Sequence, residues 1–199
     1  MQDIQNTVIS VRNQIEEHNE LIKNVLENEN FIKQIEDVAS EAIKAYQRGN
    51  KILVAGNGGS AADAQHIAGE LVSRFYFDRP GLAAIALTTD TSILTAIGND
   101  YGYDSVFARQ VQANGVNGDI FIGITTSGNS PNIITAFEQA KKMGIMSVCL
   151  TGKEGGNSKL ISDYCLCVPS SITPRIQEVH ILIGHILCAI IEEALFGKK

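Results

Sequence analysis

His66 and Glu70 are two residues whose types and spacing suit chemistry on one small ligand. Residues four apart in a helix lie on one face, one turn from each other. An imidazole and a carboxylate in that arrangement can hold one metal ion, or serve as acid and base on one substrate. The same pair also occurs on solvated helix faces, and these two residues alone do not separate the two interpretations.

A glycine-rich turn comes directly before this helical stretch. Residues 52–55 (ILVA) are a short apolar run typical of a buried parallel strand, and residues 56–59 (GNGG) end it. Glycines there permit positive φ and let a ligand approach the backbone. Ser60 is predicted to cap the following helix, with Asp63 at capping-box spacing. Strand, turn and helix start together expose N–H groups that suit a phosphate or a sugar oxygen, which favours a functional role for the pair downstream.

A second polar turn follows a second apolar run, residues 120–124 (IFIGI). Five of the seven residues in 125–131 (TTSGNSP) carry a side-chain hydroxyl or amide. Ser130 is predicted as the N-cap of a helix and Pro131 as its first residue. Hydroxyls and the free N–H groups of a helix start form a phosphate cradle without Lys or Arg. A capped turn needs only the last two of these residues, so the additional hydroxyls favour anion binding.

Strands and helices alternate along the chain, which predicts an α/β fold with about five parallel strands covered by helices on both faces. Further strands are predicted at residues 83–87, 146–150 and 165–168, the last at an edge. Residues 88–90 offer caps for a helix that ends in a polar turn at 98–102 (GNDYG). Both polar turns described above then fall at the carboxyl ends of strands, where ligands of such sheets bind.

Helices are predicted at both ends of the chain. An N-terminal helix has a narrow heptad stripe, which usually packs on a partner helix; it consists of Ile4, Val8, Val11, Ile15, His18, Ile22 and Val25. His18 either sets the register of that contact or is simply half-buried at its edge. A second helix spans about 31–48, and the C-terminal helix, capped by Thr173, spans about 174–196. The last is apolar nearly all round, which predicts burial between elements or subunits and requires partners for its polar side chains.

Composition excludes several classes of protein. A chain of 199 residues with 44% hydrophobic and 19% charged residues is typical of one globular α/β domain. A net charge of −6 and the lack of any Lys/Arg run argue against a nucleic-acid surface. Four cysteines form no CxxC pair and are expected to be reduced. The N-terminus lacks a signal pattern, and the apolar stretch 180–191 is expected to be too short for a bilayer, so a cytoplasmic protein without membrane partners is predicted.

Six motifs in order resemble the phosphoheptose isomerases of the sugar-isomerase (SIS) domain superfamily: GNGGS, QHIAGEL, GND at 98–100, TTSGNS, LTGK and TPRIQEVHILIGH. The resemblance extends over most of the chain and implies one three-layer α/β SIS domain over 1–199. Within it, 1–48 would be a helical arm, 51–168 the sheet with its helices, and 173–197 a helix used, like the arm, in oligomer packing. The implied activity converts sedoheptulose 7-phosphate to D-glycero-D-manno-heptose 7-phosphate, the first step toward ADP-heptose for lipopolysaccharide or capsule. The implied assembly is a homotetramer with one Zn²⁺ per subunit.

The resemblance also implies roles for individual residues. It places the metal ligands at His66, Glu70, Gln177 and His185, and the catalytic acid and base at Glu70 and His185. It places the substrate contacts at Asn57, Gly58, Gly59, Ser60, Asn99, Asp100, Thr125, Thr126, Ser127, Ser130 and Gln177. Pro174 stands where some members have an acidic residue, so the role of that acid is not carried over. Gln177 and His185 are eight apart, about 12 Å along a helix, which predicts a site shared between subunits.

The chemistry of an aldose–ketose isomerase fits these residue types. A carboxylate and an imidazole can move protons through an enediol, and a metal can polarise the carbonyl. The alternative is a non-catalytic SIS-domain tetramer that binds the bacterial replication initiator. That relative has Ser and Asn where this chain has Glu70 and His185, so the two ionisable residues predict the enzyme. A sugar-phosphate-sensing regulator is not favoured, because these residues include no DNA-binding segment.

Overall fold

The computed structural model describes residues 10–198, which form a five-stranded parallel sheet between two layers of helices. In chain order its elements are α1 (Val11–Leu26), α2 (Glu29–Gln47), β1 (Ile52–Gly56), α3 (Gly59–Val72), β2 (Ala84–Ala86), α4 (Thr91–Tyr101), α5 (Val106–Asn114), β3 (Ile120–Ile124), α6 (Pro131–Lys142), β4 (Met146–Thr151), β5 (Tyr164–Cys167) and α7 (Thr173–Phe196). Short 3₁₀ turns lie at Tyr103–Ser105 and Asn157–Leu160. The predicted α/β class, the five-stranded parallel sheet and its flanking helices are confirmed.

Alternation along the strands produces the three layers. On β1, Ile52 and Val54 point to one face, while Leu53 and Ala55 point to the other, and all four are at most 2% exposed. The first face packs against α1, α2, α3 and α7, and the second against α5 and α6. Because both faces of the sheet are covered, the strands are continuous apolar runs rather than alternating ones.

The strand order is β2-β1-β3-β4-β5, and every neighbouring pair is parallel. The chain leaves β1 to form β2 on one side and returns to form β3 on the other. This change of direction opens a crevice at the carboxyl ends of β1 and β3, where Gly56 pairs in register with Ile124. The two polar turns follow these residues directly and so lie side by side.

Helix α7 is longer than the apolar stretch that the sequence suggested. It has 24 residues and is long and apolar enough, by length and composition alone, to cross a membrane, so the expectation that it is too short was wrong. It nevertheless packs against α2 and α3 and buries the charged side chains of Arg175 and Glu192. These contacts are those of a core helix in a globular domain.

Helix α4 differs from its prediction at its C-terminal end. Asp90 caps it by accepting from the backbone N–H of Ile93 at 2.9 Å, as the sequence indicated. The helix then continues through residues 98–100 (GND), which were predicted to form a turn, and stops only at Gly102, where φ is +83°. Gly102 provides the positive φ that ends the helix, so Gly98 remains helical. No residue of α4 is buried.

Two helix starts were predicted one or more residues late. Helix α3 begins at Gly59 with Gly58 at the N-cap position, so Ser60 lies inside the first turn and does not cap it. Thr173 is likewise the first residue of α7 rather than its cap. In both cases the helix already includes the residue that was predicted to cap it, Ser60 in α3 and Thr173 in α7.

The N-terminal stripe is only partly covered. Its first two members, Ile4 and Val8, lie outside the described residues. Within α1, Ile22 and Val25 pack partly buried against the core, whereas Val11 and Ile15 are 79% and 63% exposed. The predicted role of this stripe in oligomer packing stays a prediction.

Candidate functional site

The glycine turn after β1 makes a close contact with α7. Gly58 has φ +58°, the left-handed region that favours glycine. A Cβ atom at Gly59 would lie 2.7 Å from Nε2 of Gln177, so a side chain there would displace that amide. The sequence predicted that a ligand approaches the backbone at this turn, and the structure places the Gln177 side chain there.

Asn57 of the same turn forms a reciprocal amide pair with Asn132 on α6. The amide of each donates to the carbonyl oxygen of the other at 2.9 Å, and the Tyr103 hydroxyl donates to Oδ1 of Asn57 at 3.2 Å. Asn132 is 2% exposed. This pair fixes the turn after β1 to the start of the helix after β3. Asn132 and Tyr103 were not predicted from the sequence, since neither stands in a motif that differs from an ordinary helix or turn.

The loop at residues 125–130 presents hydroxyl groups beside this turn. Oγ1 of Thr125, which is buried, lies 2.9 Å from Oγ of Ser130. Ser130 occupies the N-cap position of α6, as predicted, but its hydroxyl pairs with Thr125 rather than with the helix backbone. Ser127 Oγ accepts from the backbone N–H of Asn129 at 3.1 Å.

Residues 155–158 pack against the loop at residues 125–130. Gly128 has φ +69°, and a Cβ atom there would lie only 2.1 Å from the carbonyl oxygen of Gly155. The backbone N–H and the hydroxyl of Ser158 donate to the Gly128 carbonyl at 2.9 and 2.8 Å. The loop therefore packs backbone against backbone and has little freedom to move by itself.

A cavity of about 230 Å³ opens between the ends of β3 and β4 and the start of α7. Its walls carry five hydroxyl groups, one lysine and one glutamate; the lining residues are Thr126, Ser127, Gly152, Lys153, Glu154, Ser170, Ser171, Thr173 and Ile176. The hydroxyl groups suit a polyhydroxylated small molecule, and Lys153 suits a negative charge that Glu154 opposes. Of these residues the sequence indicated only Thr126 and Ser127 as ligand contacts. The LTGK motif gave a signal for Lys153, which follows the end of β4.

Two imidazoles and a carboxylate meet between α3 and α7. Nε2 of His66 lies 2.8 Å from Nε2 of His185, and Oε1 of Glu70 lies 3.5 Å from the same His66 nitrogen. The two rings are nearly edge to face, with centroids 5.0 Å apart. The predicted pair on α3 thus meets a third predicted residue from α7, although the two helices are distant in sequence.

The donors in this group have the chemistry of a zinc site, which takes imidazole nitrogen and carboxylate oxygen. Within residues 10–198, however, no three His, Cys, Asp or Glu side chains converge as metal ligands do. The fourth predicted ligand, Gln177, lies at Gly59 instead. The structure therefore brings His66, Glu70 and His185 near one another and leaves Gln177 beside the glycine turn.

Asp63 lies on α3 one turn before His66. Burial raises the pKa of its carboxyl group, and the nearby His66 opposes that shift. Its Oδ2 atom is buried and has no hydrogen-bond partner among the described residues. The sequence suggested only a capping role for Asp63, and the structure gives it none.

Asn99 and Asp100 lie apart from these groups. Both are exposed near the C-terminal end of α4, where the Asn99 amide donates to Asp100 at 2.8 Å. Within the described part of the chain, neither forms a hydrogen bond with the glycine turn or with the loop at 125–130. Their predicted contact with substrate stays a prediction.

Comparison with known proteins gives consistent matches. The SIS domain family matches residues 14–152. A curated relative from Campylobacter jejuni, named phosphoheptose isomerase 2, is 68% identical over 174 residues and covers 87% of both chains. A phosphoheptose isomerase from Aneurinibacillus thermoaerophilus is 67% identical over 175 residues, 88% of both chains.

A solved structure agrees with these sequence matches. The phosphoheptose isomerase of Neisseria gonorrhoeae has a TM-score of 0.86 and 42% identity to this chain, with 92% of this chain and 97% of the other covered. The SIS domain match at residues 14–152 contains both polar turns and His66. On its fold, its motifs and its identity to these relatives, the chain belongs to the phosphoheptose isomerases of the SIS domain family.

Proposed function

We propose that the protein converts D-sedoheptulose 7-phosphate to D-glycero-D-manno-heptose 7-phosphate, the first step of ADP-heptose biosynthesis for lipopolysaccharide or capsule. Its relatives at 68% and 67% identity are phosphoheptose isomerases, which makes it an isomerase. The proposal rests on one observation: His66 and Glu70 of α3 lie close to His185 of α7. Helix α3 is the helix that begins at the glycine turn. A protein that only binds the replication initiator would not require such a catalytic group.

Proton transfer between adjacent carbons accounts for the pairing of a carboxylate with an imidazole. Glu70 takes the proton from C1 of the ketose, the electron pair forms the C1–C2 double bond, and His185 protonates the oxygen on C2. The enediol so formed returns to an aldose when His185 removes the proton from the oxygen on C1 and Glu70 delivers its proton to C2. Each residue ends in the state in which it began, so one carboxylate and one imidazole suffice.

Substrate binding is assigned to the two polar turns and the cavity beside them. The hydroxyls of Thr125, Thr126, Ser127 and Ser130, with the N–H groups at the start of α6, would hold the phosphate. The sugar hydroxyls would contact the glycine turn and Gln177. This arrangement needs no arginine, because charged phosphate oxygens accept well from hydroxyl and amide donors.

A bound Zn²⁺ is part of the proposal. His66, Glu70 and His185 would hold it, with Gln177 as a further contact, and when bound it would polarise the carbonyl of the substrate. The types of donor fit zinc, since two imidazoles and a carboxylate lie close together between α3 and α7. Elemental analysis of the purified protein and of His66→Ala should show about one zinc per subunit in the first and markedly less in the second.

A homotetramer in the cytoplasm completes the proposal. Exposed apolar side chains remain on α1 at Val11 and Ile15, and on the α7 side at Tyr76 and Ile190. Helix α4, which buries none of its residues, offers a further surface. Covering such surfaces with other subunits is favourable, and it would allow a neighbouring subunit to complete the site. Light scattering that shows a stable monomer at micromolar concentration would contradict the tetramer.

Incubation with sedoheptulose 7-phosphate tests the function directly. The expected product is an aldoheptose phosphate, detected by NMR, with Glu70→Gln as the inactive control. Wild-type protein without turnover in the presence of zinc would contradict the proposal. Capture of a replication initiator by such an inactive protein would favour the alternative.

A further inference from the structure

Arg79 holds the last carbonyl groups of α3. Its Nη2 donates to the backbone carbonyl of Glu70 at 3.0 Å, and its Nη1 donates to the carbonyls of Leu71 at 2.6 Å and Ser73 at 3.2 Å. The final carbonyls of a helix have no partner within the helix, and here one planar guanidinium supplies several of the missing donors. The turn of helix that carries the Glu70 side chain is therefore fixed by Arg79.

Glu192 of α7 forms the other half of this contact. Its carboxylate accepts from Nε of Arg79 at 2.9 Å, and both side chains are at most 1% exposed. The same carboxylate accepts from the backbone N–H groups of Phe75, Tyr76 and Phe77 at 2.7, 2.6 and 3.3 Å. Burial by itself would raise the pKa of Glu192, but these N–H groups and Arg79 outweigh it, so the pKa lies below its ordinary value and the carboxylate is charged.

The segment 75–77 leads back to the imidazole pair. With its backbone fixed by Glu192, Phe75 places its ring 5.7 Å, centroid to centroid, from the ring of His185. Helix α7 thus contributes Glu192, which orders the segment, and His185, which the ordered segment contacts. The end of α3, the segment after it and α7 form one connected unit around Glu70 and His185.

A buried ion pair contributes little net stability, because removing two charges from water costs about as much as their attraction returns. What this one does provide is a fixed distance between two helices. Resting on the function proposed above, we propose that Arg79 and Glu192 are positioning residues of the isomerase. They hold the carboxylate of Glu70 and the imidazole of His185 at the separation that proton transfer requires. Neither touches the reacting atoms, and both act through the residues that do.

Arg79→Lys tests this inference. Lysine keeps the charge opposite Glu192, but one ammonium group cannot reach that carboxylate and three helix carbonyls together. We expect kcat to fall by about tenfold or more, because small displacements of catalytic groups are costly, while KM changes by less than about threefold. Phosphate contacts lie on other elements, so substrate binding should be retained.

A matched control lies at the opposite edge of the sheet. Lys51 and Asp119 form another largely buried ion pair, with Nζ and Oδ2 2.7 Å apart, at the amino ends of β1 and β3. Lys51→Arg should lower the melting temperature without changing kcat. If Arg79→Lys behaves in the same way, with a lower melting temperature and a wild-type kcat, the pair is only structural and the inference is wrong.

Phe75→Leu provides a second route if Arg79→Lys fails to fold. It leaves the ion pair and its backbone bonds in place and removes the ring that contacts His185, so kcat should again fall with KM retained. An unchanged kcat in this variant would overturn the inference. If the wild-type protein turns over substrate and neither variant changes kcat, the positioning role alone is contradicted. If the wild-type protein shows no turnover, the proposed function is contradicted and the inference with it.

Discussion

His180 makes the stability of this protein depend on pH in a way that one substitution should remove. Its side chain is fully buried on α7, and its Nε2 donates to the backbone carbonyl of Thr151 at 3.2 Å. Nδ1 is then unprotonated, and it has no hydrogen-bond partner among residues 10–198. Burial lowers the pKa of His180 to about 4, with the Thr151 carbonyl opposing the shift. The folded protein therefore holds this imidazole neutral at any pH above about 4.

The size of the effect follows from the two pKa values. Below its ordinary pKa of 6.5, the imidazole binds a proton in the unfolded chain but not in the folded one. The free energy of unfolding therefore falls as pH decreases from 6.5 toward 4, at about 1.4 kcal/mol per pH unit. Between pH 7.5 and pH 4.5 this single residue should lower the free energy of unfolding by about 2–3 kcal/mol.

His180→Leu removes this dependence. At pH 7.5 the variant should differ from wild type by about 1 kcal/mol or less, the value of one neutral hydrogen bond. The Thr151 carbonyl still accepts from the N–H of Val168 at 2.9 Å and is not left unpaired. Urea unfolding at fixed protein concentration should therefore show a shallower loss of stability in the variant between pH 7.5 and 4.5. Equal losses in the two proteins would refute this account of His180.

Three further predictions concern the site. Glu70→Gln keeps the shape of the side chain but removes the base, so kcat should fall strongly in steady-state assays while gel filtration shows the wild-type assembly; near-normal turnover would contradict its role. Ser127→Ala and Ser130→Ala should each weaken substrate binding by about 1–2 kcal/mol, the value of a hydrogen bond to a charged group, which calorimetry with substrate would measure. Gly59→Ala should displace the Gln177 amide, whose Nε2 lies 2.7 Å from the position of the new methyl group, and raise KM with little change in melting temperature. A KM equal to wild type would show that this contact does not serve binding.

The sequence predicted the parts of this molecule that depend on local pattern. Apolar runs such as residues 120–124 are buried strands because helices cover both faces of the sheet. The glycine turn is recognisable because glycine readily adopts the positive φ found at Gly58. Contacts between distant segments were not predictable. The pairing of Asn57 with Asn132 and of Arg79 with Glu192 joins positions 75 and 113 residues apart, and no local pattern marks either partner.

The starts of α3 and α7 and the end of α4 were missed for a different physical reason. Several residues near each boundary can serve as a cap or a stop, and tertiary packing selects among them. Ser60, buried inside the first turn of α3, is one case, and the helical Gly98 is another. The meeting of His66 with His185 was expected from the family resemblance, whereas spacing alone gave only His66 and Glu70.

The asparagine pair determines what Asn57 can recognise. An asparagine side chain has two N–H donors and an oxygen with two lone pairs. Both lone pairs of Asn57 are used, one by the Asn132 amide and one by the Tyr103 hydroxyl, and one of its N–H groups is donated to Asn132. A single N–H donor is left for a ligand. The Asn57 side chain can therefore only donate a hydrogen bond to a ligand. A ligand hydroxyl bound there accepts that bond through its oxygen and must donate its own proton to some other group.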